Sequence, residues 1–205
     1  MQNLKFTPNQ DPLIHNYDIN SLKEKSKNKA EIQKMFNLKP DLKTFLISIT
    51  SEFTNSSYGN IYTSVLEGLL NIGVQVLVRG KGTKKYQQQI ENLQNSYSQS
   101  LAVFEDIDEN IRRVYAATDA NIFLKINNNS LKDLEMCMRY GNIPISIQHQ
   151  GLVDFDPLKE TGNCFLIEKI SPWNIFESVV RAKENFKFAY DWQNIQKTCM
   201  QTDLN

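Results

Sequence analysis

The sequence predicts a doubly wound α/β domain in which six strands form one mainly parallel sheet with helices on both faces. Short and almost uninterrupted apolar runs, such as 44–50 (TFLISIT) and 74–78 (VQVLV), are typical of strands that are covered on both faces. Segments with apolar residues at helical spacing alternate with these runs. Regular alternation of strand and helix implies right-handed crossovers between parallel strands, which is a Rossmann-like layer.

The chain begins with a lead segment over residues 1–40, and its polar part, residues 1–27, is expected to lie on the surface. It contains one short amphipathic helix, predicted at 29–37 from the helical spacing of Ile32, Met35 and Phe36. The Rossmann-like domain is expected to span residues 41–205. Its strands are predicted at 44–50, 74–78, 101–104, 121–126, 143–147 and 164–167. Its helices are predicted at 61–72, 85–93, 110–117, 131–140, 173–184 and 190–200.

The charge balance excludes several classes of partner. Among 205 residues, 23 are Lys or Arg and 23 are Asp or Glu, so the formal net charge is zero. Such a balance gives no electrostatic footprint for nucleic acid or for an anionic membrane. The start of the chain lacks the layout of a signal peptide, and no apolar run approaches the ~20 residues of a membrane helix. We therefore expect a cytoplasmic protein that binds neither nucleic acid nor membrane.

Cysteine and histidine are too few and too dispersed for a metal site. The three cysteines form no CxxC pair, and the chain has only two histidines, so we predict no metal and no cofactor. Cys137 and Cys164 lie among apolar residues, where small buried cysteines are typical. His149 has no evident carboxylate partner or nucleophile, so the sequence assigns no catalytic residue.

The candidate site lies in the loops that follow the strands. Ligands of such sheets bind outside the carboxyl ends of the strands, near the point where the strand order reverses. The loops to consider begin at Ser51, Arg79, Glu105, Asn127 and Gln148.

Each of these loops also has a purely structural interpretation. Loop 51–59 contains good N-cap residues and leads into a helix whose amides are able to bind phosphate, but a solvated capping loop is favoured. Loop 127–130 (NNNS) is likewise favoured as a helix-capping loop. The acidic loop 105–109 is favoured as the charged first turn of the next helix. In 79–83 (RGKGT), two glycines permit either a tight turn, which is favoured, or close approach to a ligand.

Several segments resemble one family. Residues 139–145 (RYGNIPI) resemble the R-Y-G-T-I-P-I run of bacterial glycogen synthases and plant starch synthases, and 156–162 (DPLKETG) resemble D-P-L-N-E-T-G. Residues 112–120 are similar to the family's H-R-I-Y-A-G-A-D, and the start at 6–8 (FTP) is similar to W-N-P. The matches keep a constant order over nearly the whole chain. They resemble only the carboxy-terminal, donor-nucleotide domain of these enzymes, which is one half of a GT-B fold.

The resemblance implies an activity and a set of contacts. Family members transfer glucose from ADP-glucose to an α-1,4-glucan with retention of configuration. By position in the matching motifs, the nucleotide-sugar contacts would be Gly80, Gly82, Arg113, Gly151 and Leu152.

The loops nevertheless depart from the family where its ligand binds. Glu52 stands where a phosphate-binding arginine is expected, and Asp133 stands where a threonine is expected. Four further departures replace a lysine, an adenine-stacking tyrosine, an acid and a glycine, and they are Ser57 or Tyr58, Asp106, Asn128 and Leu131. A carboxylate beside a phosphate repels it, and a leucine blocks access to backbone amides.

Three functional hypotheses follow. The first is a catalytically degenerate domain with a binding or structural role, for which ADP-glucose or α-glucan are the candidate ligands. Tyrosines for sugar stacking would be Tyr58, Tyr62, Tyr86 and Tyr97. The alternative is the donor-binding lobe of an active α-1,4-glucan glucosyltransferase, completed by a missing amino-terminal domain or a partner chain. The third is an unrelated small-molecule-binding α/β module. Whether the complete protein is an enzyme stays open, although this chain alone is expected to be inactive.

Overall fold

The computed structural model describes residues 7–12 and 14–204. Residues 1–6 of the predicted lead segment, including Phe6 of the family-like start, lie outside the described residues. Leu13 and Asn205 also lie outside them.

One six-stranded sheet forms the centre of the molecule, with the strand order β3-β2-β1-β4-β5-β6. Every pairing between neighbouring strands of this sheet is parallel. The predicted Rossmann-like sheet is therefore confirmed, and its strand order is that of a doubly wound fold. The strands are β1 (Leu46–Ile49), β2 (Gln75–Arg79), β3 (Leu101–Phe104), β4 (Ala120–Phe123), β5 (Ile143–Ser146) and β6 (Phe165–Leu166).

Seven α-helices accompany the sheet in the part of the chain that the structure describes. Short 3₁₀ turns also occur at Leu22–Glu24 and Asn55–Ser57. The helices are α1 (Lys25–Met35), α2 (Gly59–Asn71), α3 (Lys84–Ser96), α4 (Asp108–Ala117), α5 (Asn128–Arg139), α6 (Pro172–Phe186) and α7 (Ala189–Gln201). Helix α1 begins four residues earlier than predicted because two polar residues of its first turns, Lys25 and Asn28, are buried and disguise the apolar face.

The core lies between the sheet and two groups of helices. Helix α2 packs against α3 and α6, whereas α4 packs against α1 and α5. All four residues of β1, β4 and β5 are buried, as expected for strands that are covered on both faces. No helix of the described ranges has both the length and the apolar character needed to cross a lipid bilayer.

The lead segment lies on the surface, as expected, because most of its described residues up to Lys27 are at least partly exposed, but a few of its side chains are buried against the domain. Asp11 and Tyr17 are buried, with exposed fractions of 0% and 2%. Tyr17 Oη donates to the carbonyl of Tyr140 at 2.7 Å, and Tyr140 Oη donates to Asp11 Oδ2 at 2.7 Å. A polar composition did not reveal this burial because the polar groups are satisfied by one another. The boundary at residue 40 stays a prediction.

Candidate functional site

The strand order reverses between β1 and β4, so the expected crevice lies between the loops that follow these strands. A contact crosses this crevice, since Lys125 Nζ, two residues beyond β4, donates to the carbonyl of Ser56 at 3.0 Å. Together with the loops after β2 and β3, this region is called the carboxyl edge below.

The loops after β1 and β2 pair with each other at the carboxyl edge. The amide of Phe53 donates to the carbonyl of Lys81 at 2.8 Å, and the amide of Thr83 donates to the carbonyl of Phe53 at 3.0 Å. A Cβ atom at Gly82 would lie 2.4 Å from the carbonyl oxygen of Phe53. At Gly80 a Cβ would lie 3.0 Å from the carbonyl oxygen of Phe104. The close approach of protein backbone is thus sufficient reason for both glycines.

Arg79 turns its guanidinium toward acids at the carboxyl edge. Its Nε donates to Asp106, and its Nη1 donates to the carbonyl of Thr50 at 3.0 Å. Nη1 also lies 3.7 Å from Asp133 Oδ2. The arginine is only 16% exposed, so neighbouring groups enclose most of this cation.

Lys81 is paired in the same way. Its Nζ lies 2.8 Å from Glu52 Oε1 and 3.3 Å from Asp106 Oδ2. The hydrogen bonds that Lys81 donates to Glu52 and Asp106 raise its pKa above the usual value. The five residues Glu52, Arg79, Lys81, Asp106 and Asp133 are called the edge network. It contains two cations and three carboxyl groups.

The two aspartates of the edge network titrate in opposite directions. Burial raises the pKa of Asp133 to about 6, although Arg79 opposes this shift. Burial also acts to raise the pKa of Asp106, but Arg79 and Lys81 outweigh it and hold the pKa below its usual value. Asp106 is therefore the firm partner of both cations, whereas Asp133 is a weaker acid at the buried side of Arg79.

The helix after β4 begins with a complete capping box. Asn127 Oδ1 accepts from the amides of Asn129 and Ser130 at 3.0 and 3.1 Å, and Ser130 Oγ accepts from the amide of Asn127 at 2.7 Å. The predicted capping role of this loop is confirmed. These amides of α5 are consequently occupied by the protein itself.

The helix after β1 begins differently from the prediction. No side chain caps α2; it follows a 3₁₀ turn at Asn55–Ser57, and Tyr58 adopts a left-handed conformation with φ of 61°. The expected N-cap role of these residues was wrong because their side chains have other partners. Asn55 Oδ1 accepts from Tyr86 Oη at 2.5 Å, and Ser56 Oγ lies 3.0 Å from Thr54 Oγ1.

The five residues predicted to bind a nucleotide sugar lie on three elements, which are the loops after β2 and β5 and helix α4. Gly80 and Gly82 lie at the carboxyl edge. Arg113 lies in α4 and lines a small cavity against α1. Gly151 has φ of +84° and a Cβ there would lie 2.9 Å from Leu204 at the end of the chain, while Leu152 is buried. Ligand binding by these residues stays a prediction.

Other candidate groups have structural explanations. Tyr62 and Tyr86 are 0% and 2% exposed, so they are not available for stacking on a sugar. All three cysteines are free and buried, and burial raises the pKa of each thiol, as expected for structural cysteines. Within residues 7–12 and 14–204, no group of three or more His, Cys, Asp or Glu side chains is arranged to hold a metal ion.

Sequence reasoning missed one cation at the carboxyl edge. Lys125, which was not among the residues predicted for the site, reaches the loop after β1. The sequence placed Lys125 inside the strand predicted at 121–126, whereas β4 ends at Phe123 and leaves Lys125 in the following loop. No carboxylate pairs with Lys125 in the described part of the chain.

Comparison with known proteins finds relatives that are glycogen synthases. Glycogen synthase 1 from a Synechocystis strain is 30% identical over 210 residues, which cover 98% of this chain and 43% of that protein. A glycogen synthase from Streptococcus uberis is 30% identical over 207 residues, with the same coverage of 98% and 43%. The chain thus spans less than half the length of these curated relatives. No family model matches it.

Solved structures agree in fold. The catalytic domain of starch synthase IV from Arabidopsis thaliana, determined with ADP and acarbose, superposes with a TM-score of 0.82 at 18% identity. The match covers 97% of this chain and 43% of that one. The Anabaena protein HepE, in complex with UDP-glucose, matches with a TM-score of 0.60 at 13% identity over 91% of this chain and 50% of that one. The predicted resemblance to the carboxy-terminal GT-B domain of glycogen and starch synthases is confirmed.

Proposed function

Because this chain is a glycogen-synthase-like domain, we propose that it has lost glucosyl transfer and serves a binding or structural role. The observation that carries the proposal is the edge network. Both of its cations are engaged by carboxyl groups of the same chain. A nucleoside diphosphate at this edge would have to compete with these carboxylates for Arg79 and Lys81.

Charge near the edge network also opposes an anionic ligand. The network holds three carboxyl groups against two cations, and Glu105, Asp108 and Glu109 follow directly after β3 or begin α4. Like charges in a partly enclosed cleft repel a diphosphate by on the order of 1 kcal/mol or more per pair. Lys125 is a single cation and does not reverse this balance.

The helix N-terminus at the crevice is the second support. In a phosphate-binding α/β site, free amides at a helix N-terminus point at the anion. Here Asn127 already accepts from two amides of α5, and Leu131 occupies the next position of that helix where a glycine would permit approach. Transition-state stabilisation by such donors contributes ~10²-fold or more in rate, so several losses together would abolish transfer.

Calorimetric titration tests the proposal directly. Starch synthase IV has been determined with ADP and HepE with UDP-glucose, so ADP, ADP-glucose and UDP-glucose are the relevant titrants. At low ionic strength we expect no saturable heat with any of them up to about 5 mM. A parallel titration with glycogen examines glucan binding. Binding of ADP-glucose in the micromolar range would overturn the proposal and support the donor-binding lobe of an active transferase.

Reversing the charge of the edge network sharpens this test. Glu52→Arg places a cation where the family resemblance expects one and removes a partner of Lys81. We expect ADP affinity to rise about tenfold, which corresponds to ~1.4 kcal/mol. Glu67→Arg, at an exposed position of α2, makes the same charge change away from the edge and is the control.

A larger replacement gives the second measurement. The variant Glu52→Arg/Asp106→Tyr/Asp133→Thr removes all three carboxyl groups of the edge network, and circular dichroism checks that it folds. If it binds ADP no better than the unmodified chain, the charges of the edge network are not what prevents binding.

A further inference from the structure

A cavity of about 550 Å³ lies at the opposite edge of the sheet from the crevice. Lys43, shortly before β1, and Asp119, directly before β4, both line it. Ala117 and Phe186, at the carboxyl ends of α4 and α6, line it as well. This volume is within the range of ~300–1,000 Å³ that is usual for small-molecule sites. It is called the amino-edge cavity below.

Positive charge dominates the lining of the amino-edge cavity. Its lining includes one carboxylate, Asp119, which is already bound by Lys29 at 2.6 Å. Lys187 is paired with Glu184. The lysines that line the cavity are Lys23, Lys25, Lys29, Lys43 and Lys187. Within residues 7–12 and 14–204, no carboxylate forms an ion pair with Lys23 or Lys43.

Lys25 is a buried lysine whose partners are dipoles rather than charges, and burial lowers its pKa to about 7. Its Nζ donates to the carbonyls of Tyr115 at 2.6 Å, Ala116 at 2.9 Å and Tyr140 at 3.3 Å. These carbonyls lie at the ends of α4 and α5, so the lysine stabilises the negative ends of two helix dipoles. These carbonyls use its three donors, so direct contact with an anion falls to the other lysines of the cavity.

An aromatic wall completes the amino-edge cavity. Phe186 and Trp192 both line it, and their ring centroids are 5.4 Å apart in an edge-on arrangement. Lys29 Nζ lies 4.6 Å from the centroid of Phe186. The indole Nε1 of Trp192 is buried and has no hydrogen-bond acceptor in the part of the chain that the structure describes. The cavity thus combines apolar rings with lysines on one small surface.

We propose that the amino-edge cavity binds a small organic anion, in which a phosphate or carboxylate group is carried by an apolar or ring-shaped body. The ammonium groups of Lys23 and Lys43 attract the anion as flexible point charges. The half-buried ring of Phe186 takes the body, and the buried ring of Trp192, whose centroid is 5.4 Å away, is close enough to report it. This site lies apart from the carboxyl edge, so it is independent of the function proposed above.

Fluorescence of Trp192 provides a local test. The chain has two tryptophans, and Trp173 is 81% exposed, so Trp173→Phe leaves Trp192 as the single reporter without disturbing the core. This variant is titrated with phenyl phosphate, benzoate, inorganic phosphate and phenol. We expect saturable quenching by phenyl phosphate with a Kd on the order of 1 mM, and weaker or no response to phenol. Comparable binding of benzoate would extend the class to carboxylates, whereas a preference for phenyl phosphate would limit it to phosphate esters.

Matched lysine variants decide whether the cavity is responsible. In the Trp173→Phe background, Lys23→Gln/Lys43→Gln should weaken phenyl phosphate binding by about tenfold. The control Lys84→Gln/Lys169→Gln removes the same charge from exposed positions that do not line the cavity, and it should bind normally. Equal affinity in the two double variants would overturn the proposal, and so would the absence of a saturable response or equal quenching by phenol.

Discussion

The two edges of the same sheet differ in the sign of the charge that prevails there. At the carboxyl edge, two cations meet three carboxyl groups, and both cations are bound by them. At the amino-edge cavity, five lysines meet one lining carboxylate. The edge at which related folds hold an anion is therefore acidic here, while the other edge is basic. A formal net charge of zero over the whole chain conceals this asymmetry.

The largest expected effect of a single substitution lies at the amino edge. Lys29 and Asp119 form a pair in which the side chains are 4% and 9% exposed, and Asp119 Oδ2 also accepts from the amide of Leu46 at 2.8 Å. Lys29→Met leaves a buried carboxylate unpaired, so we expect a loss of about 3–5 kcal/mol in the free energy of unfolding. Urea denaturation measures this loss.

A more exposed pair at the start of the same helix is the control for that measurement. Lys27 pairs with Glu24 and is 59% exposed. Lys27→Met should cost less than about 1 kcal/mol. Similar losses for Lys27→Met and Lys29→Met would mean that the buried pair does not stabilise the amino edge.

At the carboxyl edge, backbone packing should matter more than charge. A Cβ at Gly82 would lie 2.4 Å from the carbonyl oxygen of Phe53, where the two loops pair. We expect Gly82→Ala to lower the free energy of unfolding by about 2 kcal/mol. Gly68→Ala is the control: it lies within α2, where the new Cβ would make an ordinary contact at 3.5 Å, and it should stabilise by about 0.5–1 kcal/mol. Thermal unfolding of both variants gives the comparison, and a neutral Gly82→Ala would show that the loops separate easily.

The smallest expected effect is a pH dependence from Asp133. Its pKa is about 6 in the folded protein, against ~3.9 for an unfolded aspartate, so folding favours the protonated form. The stabilising contribution of this group is therefore present below about pH 4 and is lost as the pH rises through about 6. Asp133→Asn should raise stability at pH 8 by about 1 kcal/mol, a value reduced for partial solvent exposure, and the gain should vanish near pH 4.

Melting temperatures between pH 4 and pH 8 check this dependence. Glu67→Gln, an exposed carboxyl on α2, reports the background change with pH. A difference between Asp133→Asn and the unmodified chain that stays constant over this range would contradict the assignment to Asp133.

The fold was largely predictable because the strands are buried on both faces. Such strands form short apolar runs that stand out from polar surroundings, and β3 at Leu101–Phe104 was located to the residue. The lead segment was less predictable. Its packing depends on Asp11, Tyr17 and Tyr140, whose hydrogen bonds join residues more than 120 positions apart. No local pattern reports such distant pairing.

The candidate site was predictable in place but not in detail. The carboxyl ends of the strands were correctly expected to bring loops together, and the capping role of Asn127 followed from residue type alone. Which acid binds Arg79 was not predictable, since Asp106 and Asp133 come from different loops and helices. Likewise, Asn55 is a good capping residue by type, but Tyr86 from α3 takes its side-chain oxygen.

The contacts of the lead segment also bear on how quickly the chain folds. The bond from Tyr17 to Tyr140 closes a separation of 123 residues, and the bond from Tyr140 to Asp11 closes one of 129. Contacts this distant in sequence raise the contact order and slow the approach to the native state. These two hydrogen bonds can form only after α4 and α5 have been synthesised and placed. Asp11 and Tyr17 therefore cannot reach their partner before Tyr140 is available. The amino-edge cavity is likewise built from distant parts of the chain, since α1 and α7 both line it.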